Sequence, residues 1–117
     1  MPLALIVEDE WLVRAALADE MQRAGWHVLQ ASTGARAIEL LRGDQHIDLL
    51  VTDIGLGDRV SGWEVAATFR TEHAGDPVIY ASANPADPER QVSDSLFVTK
   101  PYTADEIMEG FRKFPLH

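Results

Sequence analysis

The chain of 117 residues contains no cysteine, which excludes disulfide bonds, a thiol nucleophile and a cysteine-ligated metal. Basic residues are also scarce, because 10 Lys and Arg stand against 19 Asp and Glu and leave a formal net charge of −9. A nucleic-acid-binding domain needs a basic surface and an anionic membrane attracts one, so we expect no nucleic-acid partner and no membrane partner. An acidic surface favours solubility and basic partners.

Long apolar runs are missing as well. None reaches the roughly 18 residues of a membrane span, and the start, Met1-Pro2-Leu3-Ala4, lacks the basic region of a signal peptide. The sequence therefore predicts a cytoplasmic protein. The length suits a single domain over residues 1–117 with no output domain, and a hydrophobic share of 46% argues against disorder.

Short apolar runs alternate with helical patterns along the chain. Strands are predicted at residues 3–7, 27–31, 48–52, 78–81 and 96–99, and helices at 10–24, 33–42, 61–73 and from 103 onward. This alternation predicts an α/β architecture, a parallel sheet covered by helices on both faces. The first helix places Leu12, Ala16 and Met21 roughly on one face, which we expect to be its apolar side.

Polar residues follow four of the predicted strands. They are Glu8 and Asp9 after the first, Asp53 after the third, Ser82 after the fourth and Lys100 after the fifth. Because ligands of open α/β sheets bind at the carboxyl ends of the strands, we expect these side chains to form one pocket.

Three carboxylates in one cleft repel one another, by roughly 4 kcal/mol per close pair at an effective dielectric constant of about 20. A bound Mg²⁺ relieves that repulsion, and Glu8, Asp9 and Asp53 offer the oxygen ligands that it prefers. An alternative is that Glu8 and Asp9, with Glu10, are acids favoured at a helix N-terminus. That alternative leaves Asp53 unexplained.

An aspartate can also act as a nucleophile toward a phosphoryl group. Around Asp53, Lys100 can neutralise one phosphoryl oxygen and the Ser82 hydroxyl can donate to another. Each residue alone has an ordinary structural explanation, so the inference depends on their joint occurrence. By contrast, the histidines show no metal-ligand spacing, and we interpret them as surface or satisfied core residues; they are His27, His46, His73 and His117.

The sequence resembles the receiver domains of two-component response regulators over residues 3 to about 114. The resemblance rests on four segments, namely Ile6–Glu10, Leu50–Asp53, Pro77–Ala83 and Phe97–Tyr102. It implies a flavodoxin-like, doubly wound sheet of five parallel strands in the order 2-1-3-4-5. The segment between residues 82 and 96 is short for the family and contains prolines, so we expect the fourth helix to be reduced to a turn or lost.

The resemblance also implies roles for the pocket residues. Asp53 corresponds to the phosphoacceptor and Lys100 to the lysine that contacts the phosphoryl group. Asp9 and Asp53 correspond to the Mg²⁺ ligands, helped by the backbone carbonyl of Gly55, and Glu8 stands at the other acidic position.

Three further positions match the switch of the family. Ser82 corresponds to the switch hydroxyl and Phe97 to the switch aromatic, and the peptide bond before Pro101 is usually cis. Negative charge added at the phosphoacceptor is expected to draw Ser82 toward it and to let Phe97 turn inward.

The resemblance thus implies a stand-alone signalling receiver rather than an enzyme. It would accept a phosphoryl group on Asp53, with Mg²⁺, from a histidine kinase or phosphotransfer protein. It would act on a downstream protein as a monomer or weak dimer. Alternatives are a degenerate receiver that binds partners without being phosphorylated, and a receiver fragment of a larger hybrid kinase. A flavodoxin-like cofactor protein ranks low, because the acids at residues 8–10 would repel a phosphate group.

Overall fold

Strands and helices alternate in the computed structural model, which describes residues 2–57, 59–83, 87 and 89–114. The elements are β1 (Leu3–Val7), α1 (Trp11–Arg23), β2 (His27–Ala31), α2 (Gly34–Leu41), β3 (Leu49–Thr52), α3 (Gly62–Glu72), β4 (Val78–Ser82), β5 (Ser95–Thr99) and α4 (Ala104–Arg112). Each differs from its predicted range by one or two residues at most, apart from the open end of the last helix. Within the described ranges, no helix has the length and apolar character needed to cross a bilayer.

The five strands form one parallel sheet in the order β2-β1-β3-β4-β5. The flavodoxin-like architecture implied by the resemblance is therefore confirmed. Val7 lies beside Thr52 across β1 and β3, and Ser82 lies beside Thr99 across β4 and β5. This register brings the carboxyl ends of the strands to a common edge, where a ligand pocket of such a sheet is expected.

Alternate residues of the central strands point to opposite faces of the sheet and build two apolar cores. Leu5 and Val7 pack in the cluster that contains Phe69 of α3 and residues of α2. Ala4 and Ile6 pack in the cluster formed with α1 and α4. Both faces are therefore covered, which explains why β3 is buried along its whole length.

The predicted apolar face of α1 is wrong. The helix buries Leu17, Ala18 and Met21, whereas Leu12 is 72% exposed and Ala16 is also exposed. At about 100° per residue, Leu12 and Met21 lie on opposite sides of the helix. The sheet contacts only the side that carries Met21, so Leu12 faces outward.

The helix starts predicted from capping patterns at residues 61 and 103 are confirmed. The Ser61 hydroxyl accepts a hydrogen bond from the Glu64 N–H at 3.3 Å, and the Thr103 hydroxyl accepts one from the Glu106 N–H at 3.2 Å. These bonds satisfy amide groups that have no partner inside the helix.

The connection from β4 to β5 contains no helix in its described part, residues 83, 87 and 89–94. The expectation that the family's fourth helix is reduced to a turn or lost is confirmed for these residues. The Tyr80 hydroxyl accepts a hydrogen bond from the Val92 N–H at 3.1 Å, and Arg70 donates to the Ser93 carbonyl at 2.5 Å. Side chains of β4 and α3 thus hold the segment in place.

Candidate functional site: an acidic pocket with one lysine

The backbone ladder of the sheet continues just beyond the strand ends and positions the pocket residues. The Asp53 N–H donates to the Val7 carbonyl at 2.9 Å, and the Lys100 N–H donates to the Ser82 carbonyl at 3.0 Å. Likewise, the Glu8 N–H donates to a carbonyl of β2 at 3.1 Å. The side chains that follow β1, β3 and β5 therefore start from fixed backbone positions.

Three carboxylates meet at this edge. One oxygen from each of Glu8, Asp9 and Asp53 lies within 4.8 Å of the others. Glu8 is 2% exposed and the Asp53 side chain 11% exposed, whereas Asp9 faces solvent. The cluster is thus buried on one side and open on the other, through Asp9.

Lys100 joins two of these carboxylates. Its Nζ donates to Glu8 Oε1 and, at 3.1 Å, to Asp53 Oδ2. Burial alone would lower the pKa of Lys100, but the hydrogen bonds and negative charges of Glu8 and Asp53 outweigh it and raise the pKa above its ordinary value. The ammonium group is therefore firmly protonated at neutral pH.

Glu8 is the most strongly buried acid of the cluster. Burial raises the pKa of Glu8, and the hydrogen bonds from Lys100 and from the Glu10 N–H act in the opposite direction. The second oxygen, Oε2, accepts the Glu10 N–H at 3.1 Å. Both carboxylate oxygens therefore have donors, and the side chain is held in one orientation.

The environment of Asp53 is equally ordered. Its Oδ1 accepts the Ile54 N–H at 2.7 Å, while Oδ2 faces Lys100. Behind it, the Gly62 N–H donates to the Ile54 carbonyl at 2.9 Å. A Cβ atom on Gly62 would lie 1.9 Å from the Asp53 carbonyl oxygen, so only glycine allows α3 to approach this closely.

Gly62 was not singled out by the sequence analysis. The signal available was a glycine directly after the predicted cap Ser61. Tyr102 was missed as well; burial, together with the charge of Glu8, raises its pKa to about 12. The close approach at Gly62 and the raised pKa of Tyr102 both depend on the atoms that lie opposite in the fold, which the local sequence does not reveal.

The predicted switch residues occupy two different places. Ser82 is 1% exposed at the end of β4, next to the backbone of Lys100. Phe97 is half-buried on β5, beside Tyr80 in the strand register, with ring centroids 6.5 Å apart. Gly55 is exposed in the loop after β3, and the bond between Lys100 and Pro101 is cis.

The donor set suits a hard divalent cation. Carboxylate oxygens are the ligands that Mg²⁺ prefers, and it commonly uses one or two of them together with water. Asp9 is open to solvent and Asp53 lies beside it, so both can contribute without disrupting the core. The residues present therefore fit Mg²⁺.

Comparison with known proteins gives a consistent result. The family model described as the response regulator receiver domain matches residues 4–112. A response regulator receiver protein from Sinorhizobium medicae WSM419 is 30% identical, with a TM-score of 0.88 over 97% of this chain and 93% of that one. TrrA from Thermotoga maritima, solved in complex with Mg²⁺-BeF, is 28% identical, with a TM-score of 0.82 over 98% of this chain and 100% of that one.

Curated relatives extend beyond this chain. The transcriptional regulatory protein KdpE of Mycobacterium tuberculosis is 29% identical over 115 residues, which cover 96% of this chain and 50% of KdpE. The chain thus spans about half the length of the curated relatives it matches. The family match covers nearly all of the sequence, and the chain belongs to the response regulator receiver domain family.

Proposed function

We propose that this receiver accepts a phosphoryl group on Asp53. The observation that carries the proposal is the meeting of Asp53 with Glu8, Asp9 and Lys100 at one sheet edge. Nucleophilic carboxylates and neutralising cations are what phosphoryl transfer to an aspartate requires.

The donor is a phosphohistidine of a histidine kinase or phosphotransfer protein. A carboxylate oxygen of Asp53 attacks the phosphorus, the phosphorus–nitrogen bond breaks, and the imidazole nitrogen keeps the electron pair. The product is an acyl phosphate on Asp53. Lys100 is already 3.1 Å from Asp53 Oδ2 and therefore neutralises charge on the phosphoryl oxygens without a large movement.

Asp9 and Asp53, with Glu8, are the residues that would hold Mg²⁺, and we assign the Gly55 carbonyl to the same set. Bound there, the ion would neutralise negative charge on the transferred phosphoryl group. The role of this chain is to orient the carboxylates, through the Glu10 and Ile54 N–H groups, before the donor arrives.

The response to phosphorylation would run through β4 and β5. The Ser82 hydroxyl lies at the carboxyl end of β4 and would donate to a phosphoryl oxygen. Phe97 would then turn inward, and the surface formed by β4 and β5 would change for a downstream protein partner. This is a shift between two populated states.

The donor protein would approach across the start of α1. Trp11 and Leu12 are 66% and 72% exposed and follow the acidic residues directly. Large exposed apolar side chains next to a reactive site favour protein docking.

Intact-mass spectrometry tests the proposal. With Mg²⁺ and acetyl phosphate, wild-type protein is expected to gain the mass of one phosphoryl group, and Asp53→Asn to gain none. Asp19→Asn, an exposed aspartate of α1, serves as the matched control and should label like wild type. Chelation of Mg²⁺ should suppress the labelling of wild type and of Asp19→Asn.

Two results would contradict the proposal that Asp53 accepts a phosphoryl group. Labelling that persists in Asp53→Asn moves the acceptor elsewhere. A wild-type protein that stays unlabelled with Mg²⁺ and acetyl phosphate supports the degenerate receiver instead.

A further inference from the structure

A second polar cluster lies at the opposite edge of the sheet. His46 precedes β3, His73 directly follows α3, and Asp76 lies in the turn before β4. One potential ligand atom from each lies within 4.8 Å of the others. His46 lies at the surface and His73 is a buried residue with a hydrogen-bond partner, in agreement with the sequence-based interpretation. The sequence alone did not show that the fold brings the two side chains together.

The spacing between His46 and Asp76 resembles that of two ligands on one ion. Nε2 of His46 is 3.6 Å from Oδ2 of Asp76, which is long for a hydrogen bond. Two atoms bound to a tetrahedral Zn²⁺ at about 2.1 Å would lie roughly 3.4 Å apart. The separation is thus close to that of a shared metal ion.

Asp48 lies near the same ring nitrogen of His46. Its Oδ1 is 3.2 Å from His46 Nε2, and its Oδ2 accepts the Leu3 N–H at 2.8 Å. The backbone bond anchors this carboxylate, so it is placed to complete a ligand set around an ion bound to Nε2.

His73 is already prepared as a ligand. It is 9% exposed, stacks on Phe69 at 5.1 Å between ring centroids, and has Nε2 3.1 Å from the Leu41 carbonyl. A carbonyl only accepts, so Nε2 must carry the proton and Nδ1 keeps its lone pair. Histidine ligands of metals typically donate their other ring N–H to such a group.

We propose that His46, His73 and Asp76 bind a divalent transition-metal ion such as Zn²⁺. Two imidazoles and a carboxylate suit Zn²⁺, whereas Mg²⁺ prefers oxygen ligands alone. The net charge of −9 favours any cation. The ion would join the segments that enter β3 and β4, and water or Asp48 would complete its shell.

Calorimetric titration with Zn²⁺ tests the site. Saturating Mg²⁺ is present throughout to occupy the acidic pocket. Wild type is expected to bind one Zn²⁺, and His46→Gln to bind it at least about tenfold more weakly. The His46 side chain is 67% exposed, so this substitution leaves the core intact. His27→Gln, at an exposed histidine of β2, is the matched control and should bind like wild type.

NMR spectra of the histidine rings give a second measurement. Zn²⁺ should shift the signals of His46 and His73 and leave those of His27 in place. Equal Zn²⁺ affinity in wild type and His46→Gln would overturn the site, as would a wild type that binds no Zn²⁺ in saturating Mg²⁺. Neither result depends on whether Asp53 is phosphorylated.

Discussion

At the scale of single residues, Lys100 compensates part of the negative charge in the acidic pocket. Its ammonium group contacts Glu8 and Asp53, which come from different strands and are both largely buried. Removing one partner of a buried ion pair leaves an uncompensated charge, which costs far more than an exposed pair is worth. The pocket therefore depends on this lysine whenever Mg²⁺ is absent.

Replacing Lys100 with methionine tests this dependence. In the presence of a chelator, Lys100→Met is expected to lower the free energy of unfolding by about 3–5 kcal/mol, measured by urea denaturation. Lys113→Met, at an exposed lysine after α4, should change it by less than about 0.5 kcal/mol. A similar, small effect of both substitutions would show that the buried pair contributes little.

The raised pKa of Lys100 predicts that the folded protein loses stability at strongly alkaline pH. The pKa of Lys100 is raised in the folded state. Its contribution to the free energy of unfolding is therefore fully present below pH 10.5, the ordinary pKa of lysine, and is lost as pH rises through the folded-state pKa. The difference in unfolding free energy between wild type and Lys100→Met should stay constant from pH 8 to 10 and shrink above 10.5. Urea denaturation at each pH measures it, and a difference that instead grows above 10.5 would contradict the assignment.

Gly62 is a second residue with a specific requirement. A Cβ atom there would meet the Asp53 carbonyl oxygen at 1.9 Å and the Ile54 Cα at 2.7 Å, and backbone atoms have no free rotation with which to move away. Gly62→Ala is therefore expected to destabilise the fold by about 1–3 kcal/mol or more and to shift the Asp53 and Ile54 amide signals. Gly57→Ala is the control, because its Cβ would come no closer than 3.5 Å to Asp9. Unchanged amide signals in Gly62→Ala would refute the close approach.

At the scale of elements, the described part of the connection from β4 to β5 contains no helix, where the family has its fourth one. Side chains from neighbouring elements hold this connection instead. Tyr80 fills the interior beneath it and contacts Trp63, with ring centroids 4.9 Å apart. Its hydroxyl accepts the Val92 N–H, while Arg70 of α3 donates to carbonyls of the turns before β4 and β5. Side-chain hydrogen bonds thus replace part of the bonding that a helix would supply.

Tyr80→Phe isolates the contribution of that hydroxyl. The ring remains, so packing against Trp63 is kept, but the Val92 N–H loses its acceptor. We expect a loss of about 1–3 kcal/mol in unfolding free energy and faster amide hydrogen exchange at Val92. Tyr102→Phe, at the other tyrosine, should leave exchange at Val92 unchanged. Unaltered protection of Val92 in Tyr80→Phe would mean that the bond does not hold the connection.

At the scale of the whole molecule, the two ends of the sheet carry two different donor sets. Carboxylates lie at the carboxyl edge and a histidine–aspartate cluster at the amino edge. Receiver domains are signalling modules, and this one carries a net charge of −9 that any bound cation reduces. Cations that bind only the folded chain must stabilise it.

Mg²⁺ is accordingly expected to raise the thermal midpoint of unfolding. At a Mg²⁺ concentration of 100 times the dissociation constant, the free energy of unfolding is expected to rise by about 2.7 kcal/mol. Asp9→Asn should lose most of this stabilisation, because Asp9 is a proposed Mg²⁺ ligand, and its exposed position means that the replacement does not disturb the core. Asp19→Asn should respond like wild type. Full stabilisation by Mg²⁺ in Asp9→Asn would place the ion elsewhere.

Local sequence patterns were enough to predict the order of strands and helices and the polar residues at the strand ends. Both depend on local patterns, namely the alternation of apolar runs with helical periods and the caps at Ser61 and Thr103. With the resemblance added, the sequence also predicted the sheet order. These features need no knowledge of what lies across the molecule.

The packing of the folded chain determines which groups contact one another. It buried Glu8 and exposed its neighbour Asp9, placed Lys100 between Glu8 and Asp53, and turned Leu12 away from the sheet. It also brought His46 close to Asp76 and placed the Tyr80 hydroxyl where it accepts the Val92 N–H. The physical reason is that such distances depend on how packed elements cross and on their register, which local sequence patterns do not encode.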